Sequence, residues 1–135
     1  MARLQPGVYC NFGGGKTALT TRDKVMLVAQ VCDELKAEDL VILELTGITT
    51  IADYFLICTG SSQTHLRAVA TEVVDRLRQH RTRPLGEEGL HDTSWILLDY
   101  GDVVVHIFAA RSRAFYSLET LWGDAKRISA REALS

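Results

Sequence analysis

The stretch that decides the fold is Trp95-Ile-Leu-Leu-Asp-Tyr-Gly-Asp-Val-Val-Val-His-Ile-Phe108. Two apolar segments flank its polar centre, Asp99-Tyr-Gly-Asp102, and this pattern predicts a β-hairpin. We expect Tyr100-Gly101 to form a two-residue loop, because glycine readily adopts the positive φ that such loops require. With that loop, Trp95 pairs with His106 across the two strands.

Alternation divides the hairpin into two faces, because successive side chains of a strand point to opposite sides of the sheet. The first face is uniformly aliphatic and is predicted to face the core; it comprises Ile96, Leu98, Val103, Val105 and Ile107. The second, here called the aromatic face, comprises Trp95, Leu97, Val104, His106 and Phe108. The carboxylates of Asp99 and Asp102 are expected at its end. A one-residue error in the loop is expected to exchange the two faces.

Two interpretations of the aromatic face are open from the residues alone. In the first, helices cover this face too, and His106 is hydrogen-bonded in the interior. In the second, part of the face is exposed and binds a partner. A tryptophan beside a histidine suits a surface that is wet when free and buried when bound. Such aromatic residues are frequent hot spots of protein interfaces.

The other hydrophobic patterns complete an α/β domain in the order α-β-β-α-(β)-β-β-α. The predicted elements are a helix with Asp23 as its N-cap, a strand over 41–45, a strand over 54–59 buried on both faces, a helix that follows Gly60-Ser61-Ser62 and is stopped by Pro84, an edge strand after Pro84, the hairpin, and a helix from about Arg113 to Gly123. We therefore predict a single domain with a mixed β-sheet flanked by helices.

The length of 135 residues suits one domain with a sizeable core. We expect a flexible leader over residues 1–22, the folded domain over 23–127 and a short tail over 128–135. The leader contains no Asp or Glu, so an organelle-targeting segment is an alternative for it. Its sequence Gly13-Gly-Gly-Lys-Thr17 is not a phosphate-binding loop, because Cys10 stands where the first glycine of that motif is required.

The charge distribution limits the classes of partner. A formal net charge of −2 argues against general binding to the phosphate backbone of nucleic acids. We also expect no sequence-specific binding to nucleic acid. Residues 86–102 contain five acidic residues, Glu87, Glu88, Asp92, Asp99 and Asp102, and neither Lys nor Arg. This acidic edge is either an ordinary solvated surface or a complement to a basic partner such as a ribosomal protein.

Residues typical of catalytic and metal sites do not occur at the required spacings. The three cysteines are far apart, which indicates free thiols in a reducing compartment, and we expect a cytoplasmic protein. The four histidines show no metal-binding spacing, so neither a metal nor a cofactor is expected. No segment has the length of a membrane span. Asp99 and Asp102 could bind a magnesium ion, but their positions at a turn are explained more simply by turn formation. Gly60-Ser61 could bind a phosphate, but its position before a helix is explained more simply by helix capping.

Three stretches together resemble the ribosomal silencing factor family, also called Iojap-like. They are Asp53-Tyr-Phe-Leu-Ile-Cys-Thr-Gly-Ser-Ser62, the hairpin from Trp95 to His106, and Phe115-Tyr-Ser-Leu-Glu-Thr-Leu-Trp-Gly-Asp-Ala125. The resemblance implies a fold similar to nucleotidyltransferases without their catalytic carboxylates, and a role that is not enzymatic. It also implies binding to ribosomal protein fourteen of the large subunit, which blocks joining of the small subunit.

The aromatic face and the resemblance together define a predicted set of partner-binding residues. The set comprises Trp95, Leu97, Asp99, Tyr100, His106 and Phe108, followed by Tyr116, Glu119 and Trp122. Two alternatives stay open. The first is a nucleotidyltransferase-like enzyme that binds nucleotide and metal through Asp99 and Asp102. The second is a homodimer that uses the same surface as the ribosomal partner.

Overall fold

The structure, a computed structural model, describes residues 19–89, 94–116, 123 and 125–128, with the side chains of 114–116 excepted. The elements in chain order are α1 (Thr21–Glu34), β1 (Glu38–Glu44), β2 (Tyr54–Gly60), α2 (Gln63–Arg78), β3 (Gly86–Glu88), β4 (Trp95–Asp99), β5 (Val103–Ala109), α3 (Ala110–Tyr116) and β6 (Lys126–Ile128). The predicted α/β domain with a mixed sheet is confirmed. The boundaries of the leader and the tail stay predictions.

One six-stranded sheet runs in the order β3-β4-β5-β2-β1-β6. Its centre is the parallel pair of β2 and β5, and every other neighbouring pair is antiparallel. β2 is buried at every position after its first, as its apolar sequence predicts. The predicted edge strand is also confirmed as β3. β6, which pairs with β1, was not predicted, because its sequence Lys126-Arg-Ile128 is short and mostly polar.

α1 and α2 pack together against one face of the sheet and enclose the larger of two hydrophobic clusters. The sequence of α2 has apolar residues at helical spacing that predict one buried stripe. This stripe is confirmed in full, since the buried residues of α2 are Leu66, Val69, Ala70, Val73 and Leu77. The aliphatic face of the hairpin lies beneath these helices, with Ile96, Leu98, Val103, Val105 and Ile107 all buried. Each such aliphatic side chain contributes about 1.5–3 kcal/mol by leaving water.

The helix ends differ in part from the predicted ones. The N-cap of α1 is Thr20, whose hydroxyl accepts from the backbone N–H of Asp23, and the Asp23 carboxylate accepts from the N–H of Thr20 in return. The predicted N-cap Asp23 is therefore wrong by three positions, although it belongs to the same capping box. The hydroxyls of Ser61 and Ser62 were the predicted caps of α2, and Ser62 is the one that accepts from the backbone N–H of His65. α2 ends at Arg78, well before Pro84, and α3 begins at Ala110, three residues before the predicted start.

Asp102 fastens the hairpin turn to the first turn of α1. Its carboxylate accepts a hydrogen bond from the hydroxyl of Thr21 and forms an ion pair of 2.9 Å with Lys24 Nζ. Its backbone carbonyl accepts from the N–H groups of Asp53 and Tyr54. Burial by itself would raise the pKa of Asp102, but the bonds from Thr21 and Lys24 outweigh it and lower that pKa. The carboxylate is thus held in its charged form, on the helix side of the sheet.

We predict that Asp102→Asn lowers the free energy of unfolding by about 1 kcal/mol near neutral pH, because the ion pair is partly exposed and screened by solvent. A lowered pKa in the folded state stabilises the fold above the unfolded pKa of about 3.9, and this contribution is lost as pH falls through the folded pKa. Urea unfolding between pH 7 and pH 3 should therefore show the variant and the parent converging at acid pH.

Asp99→Asn is the matched control for this measurement. Asp99 Oδ1 accepts from the N–H of Gly101 at 2.8 Å, and an asparagine oxygen can accept the same bond. This variant keeps the bond to Gly101 and leaves the contacts of Asp102 intact, so at pH 7 it should be closer in stability to the parent than Asp102→Asn is. An offset between Asp102→Asn and the parent that does not shrink at acid pH would contradict the role assigned to the charge of Asp102.

Candidate partner-binding face

The hairpin register differs from the predicted one by a displaced loop. Tyr100 N–H donates to Val103 O at 2.8 Å, so Gly101 and Asp102 form the two-residue loop. Gly101 has φ +88, the positive value that a type II′ turn requires at its first loop position. The sequence prediction placed this glycine second. Trp95 consequently pairs with Phe108, and His106 pairs with Leu97.

The division into two faces is nevertheless confirmed. Displacing a two-residue loop by one residue moves every cross-strand partner by two positions, and side chains two apart lie on the same face. The expectation that such an error exchanges the two faces was therefore wrong. The faces are exchanged only when the number of residues in the loop changes by an odd number. Trp95, Leu97, Val104 and Phe108 all belong to the second hydrophobic cluster, on the side of the sheet opposite α1 and α2.

The aromatic face is built around the imidazole of His106. Trp95 Nε1 donates to His106 Nδ1 at 3.2 Å, and the indole stacks on Phe108 with ring centroids 5.0 Å apart. Phe55 of β2 meets the imidazole edge-on, with centroids 4.7 Å apart. These are the offset and T-shaped geometries that aromatic rings prefer. The four rings therefore form one packed cluster on β2, β4 and β5.

His106 is neutral in this environment. Only 4% of the residue is exposed, and burial lowers the pKa of its imidazole to about 4. Because Nδ1 accepts the bond from Trp95, the single proton of the neutral ring lies on Nε2. Nε2 is buried and has no hydrogen-bond partner within the described residues. The imidazole therefore acts as an acceptor and a packing surface, and it does not face a partner directly.

Trp95 and Leu97 are the accessible residues of the aromatic face. Both are half-buried, whereas Val104, His106 and Phe108 are buried. The first interpretation thus holds for His106, which is hydrogen-bonded in the interior. The exposure that the second interpretation requires is found at the β4 side chains, which keep part of their surface in contact with solvent, and partner binding there stays a prediction. The indole N–H of Trp95 is directed inward to His106, so the exposed part of this side chain is apolar.

The polar residues predicted beside this face have different places. Asp99 is half-buried and caps the turn through Gly101, while Asp102 is bonded to α1. The two carboxylates therefore serve separate structural bonds. Tyr100 does not belong to the surface, since it is 5% exposed within the cluster beneath α1 and α2. Burial and then the nearby Glu87 raise the pKa of its phenol.

The third predicted group is less defined. Tyr116 is the last residue of α3, and nothing is described of its side chain. Glu119 and Trp122 lie outside the described residues. α3 itself is held by Arg113, whose guanidinium donates to Thr59 Oγ1 at 2.9 Å. Partner binding by these residues stays a prediction.

Several contributors to this face were not predicted from the sequence. They are Phe55 and Ile57 of β2, Leu43 and Leu45 around β1, and the exposed Glu88 of β3, which lies opposite Leu97. Phe55 joins the aromatic cluster only because β2 lies beside β5 in the sheet. The apolar run of β2 predicted burial on both sides, but it gave no information on which strand lies next to it.

Within the part of the chain that the structure describes, no group of three or more His, Cys, Asp or Glu side chains could hold a metal ion. None of the described helices has both the length and the apolar character needed to cross a bilayer. The accessible part of the face is an apolar ridge formed by the half-buried Trp95 and Leu97, which lies over a packed aromatic base and beside carboxylates.

Comparison with known proteins gives the family. Residues 18–135 match the family model described as ribosomal silencing factor during starvation. Ribosomal silencing factor RsfS of Bacillus subtilis is 43% identical over 99 residues, which cover 73% of this chain and 84% of that protein. The chloroplastic protein Iojap of Zea mays is 34% identical over 101 residues, which cover 75% of this chain and 44% of that protein.

Solved structures agree with this family. A crystal structure of a protein from Chromobacterium violaceum superposes with a TM-score of 0.75 at 28% identity and covers 87% of this chain and all of that one. A second, from Bacillus halodurans, gives a TM-score of 0.69 at 36% identity and covers 78% of this chain and 95% of the other. The fold is that of a single α/β domain with a mixed sheet. The chain belongs to the ribosomal silencing factor family.

We predict that stability depends on His106 between pH 6.5 and pH 4. The unfolded chain takes up a proton near pH 6.5, but the folded chain does not until about pH 4. The free energy of unfolding should therefore fall by about 2 kcal/mol from pH 7 to pH 5 through this residue. His106→Asn keeps an acceptor for Trp95 and does not titrate.

Urea unfolding at pH 7 and pH 5 measures this effect. The variant should be less stable than the parent at pH 7, because asparagine fills less of the aromatic cluster, but it should lose less stability at pH 5. Equal losses in the two proteins would contradict a buried neutral imidazole.

Proposed function

We propose that this protein is a translational repressor that binds the large ribosomal subunit and sterically blocks its association with the small subunit. The partner on the large subunit is its ribosomal protein fourteen. The protein acts in the cytoplasm, where it meets free subunits, and it performs no chemical reaction. Its membership of a family named for ribosomal silencing supports the general role, and the aromatic face supports the mode of binding.

The observation that carries the proposal is the half-buried pair Trp95 and Leu97, which lies above a buried aromatic base. An interface hot spot needs an apolar side chain that is already held in its bound position, because ordering a mobile side chain costs free energy on binding. The stack on Phe108 and the bond to His106 hold the indole in place. The remaining exposed surface of Trp95 is then available to a partner at little entropic cost.

Acidic groups beside this ridge supply the second component. Glu88 lies opposite Leu97 and shares its side of the sheet, and Asp99 lies at the far end of β4. A basic ribosomal protein complements such charges. At the rim of an interface they chiefly set orientation and association rate, whereas the apolar ridge sets affinity.

Repression by obstruction requires only the placement of a folded body. A stable interface buries roughly 800 Å² on each partner, which an α/β domain of 15.0 kDa provides on one face. The rest of the domain, including α1 and α2 on the opposite side of the sheet, then stands where the small subunit must dock. Such an inhibitor needs neither nucleotide nor metal.

We predict that Trp95→Ala weakens binding to isolated large subunits at least tenfold, because it removes the central apolar anchor. Co-sedimentation of the purified protein with large subunits measures the bound fraction, and a subunit-joining assay measures the loss of repression. Trp95→Ala also removes the hydrogen-bond donor of the buried His106, so it changes the interior of the domain as well as its surface. Glu88→Lys therefore provides a second test, at an exposed position. Charge reversal there should slow association without changing the melting temperature.

Arg67→Ala is the matched control, since Arg67 is an exposed long side chain on α2, on the opposite side of the sheet. It should bind and repress as the parent does. Full binding by both Trp95→Ala and Glu88→Lys would contradict the assignment of this face.

Two further measurements test the alternatives. Light scattering across a dilution series shows whether a homodimer competes for this face. Calorimetric titration with nucleotide tests the alternative that the protein is an enzyme, and we expect no heat of binding.

A further inference from the structure

The helices α1 and α2 end in the same unusual way. In each, the last turn closes with the paired backbone hydrogen bonds of a Schellman motif. After α1, Ala37 N–H donates to Cys32 O and Lys36 N–H donates to Asp33 O. After α2, Thr82 N–H donates to Leu77 O and Arg81 N–H donates to Arg78 O. The left-handed residue of this motif is usually glycine. Here it is Lys36, with φ 61, and Arg81, with φ 62.

A long cationic side chain at such a position costs stability that glycine would not cost. Backbone strain of this kind is retained where the side chain serves a purpose. Two uses are conceivable at a helix end: compensation of the helix dipole, or binding of an anion. The charges around each motif distinguish between them.

The α2 end has cations without acidic partners. From Arg76 to Leu85 the chain contains four arginines and no acidic residue. Arg76 is paired with Glu34 and Glu72, and Arg78 is paired with Asp75. Arg81 and Arg83 are exposed, and no carboxylate within the described residues lies within 4.0 Å of either guanidinium.

The dipole of α2 does not account for both free arginines. Its last turn already contains Arg76 and Arg78, and the influence of the dipole falls off within that turn. Arg83 lies five residues beyond the end of the helix. It precedes Pro84, which restricts the backbone of Arg83 to extended conformations. Two guanidinium groups that have no acidic partner among the described residues are thus presented from one short segment, whose backbone is held by the Schellman bonds at Arg81 and by the bond from Leu85 N–H to Asp99 O.

We propose that Arg81 and Arg83 form a second contact surface, which binds the phosphate backbone of double-stranded RNA without reading its sequence. Guanidinium groups bind phosphate oxygens through paired charge-assisted hydrogen bonds. Two free arginines can neutralise neighbouring phosphates even on a chain whose net charge is −2. The choice of RNA over other polyanions rests on the proposed binding to the ribosome, where RNA is the abundant phosphate polymer. Neither arginine belongs to the aromatic face.

The experiment uses the full chain and a fluorescently labelled RNA duplex of about 20 base pairs, somewhat longer than the ~16 base pairs that a double-stranded RNA-binding domain spans. Fluorescence anisotropy over a range of salt concentrations gives the affinity and its salt dependence. Arg81→Gly should weaken binding about five- to tenfold at low salt and reduce the slope of log K against log salt by about one. Arg81→Gly combined with Arg83→Gln should reduce the slope by about two.

Lys36→Gly is the matched control, because it makes the same backbone change and removes the same charge at the end of α1. It should bind RNA as the parent does. Both glycine variants should melt at the same temperature as the parent or about 2–4 °C higher, so loss of binding cannot be ascribed to unfolding.

Three results would overturn this proposal: no binding of the duplex by the parent, equal losses in Arg81→Gly and Lys36→Gly, or binding to phosphatidylserine vesicles with none to RNA. None of them bears on the aromatic face, because the duplex contains no ribosomal protein. Conversely, a Trp95→Ala variant that fails to bind large subunits should still bind the RNA duplex.

Discussion

The parallel pairing of β2 with β5 is the constraint on which the rest of this structure depends. The two strands are matched over seven positions, from Tyr54 with Val103 to Gly60 with Ala109, and nearly all of these residues are buried. A buried parallel pair needs cover on both faces. α1 and α2 cover one face, and the other becomes the base of the aromatic face. The same pairing brings Phe55 into contact with His106.

In the aromatic face, the buried imidazole of His106 fixes the orientation of the partly exposed indole of Trp95. Burying His106 costs free energy, which appears as the lowered pKa of its imidazole. In return, Nδ1 binds the indole N–H of Trp95. The indole therefore needs no further hydrogen-bond partner, and its solvent-facing surface is apolar and fixed. Such a surface supports the partner binding that we propose.

Charged groups occur in three different surroundings in this fold. Asp102 is paired with Lys24 and joins the hairpin to α1. Glu88 stands exposed beside the apolar ridge, where it can influence association. Arg81 has no acidic partner among the described residues and occupies a strained backbone position. The net charge of −2 conceals this arrangement, because acidic and basic residues are collected at different places.

The sequence alone determined the class of fold, the stripes of the helices and the two faces of the hairpin, because these depend on periods of 3.6 and 2 along the chain. It also determined the family, through three local motifs. The loop register, the strand β6, the burial of Tyr100 and His106, and the inward bond of Asp102 were decided by tertiary structure. Each depends on which distant element lies alongside, as β5 lies beside β2 and α1 beside the hairpin turn. Local periodicity states which side of a strand is apolar, but only the assembled sheet decides how much of that side remains exposed to solvent.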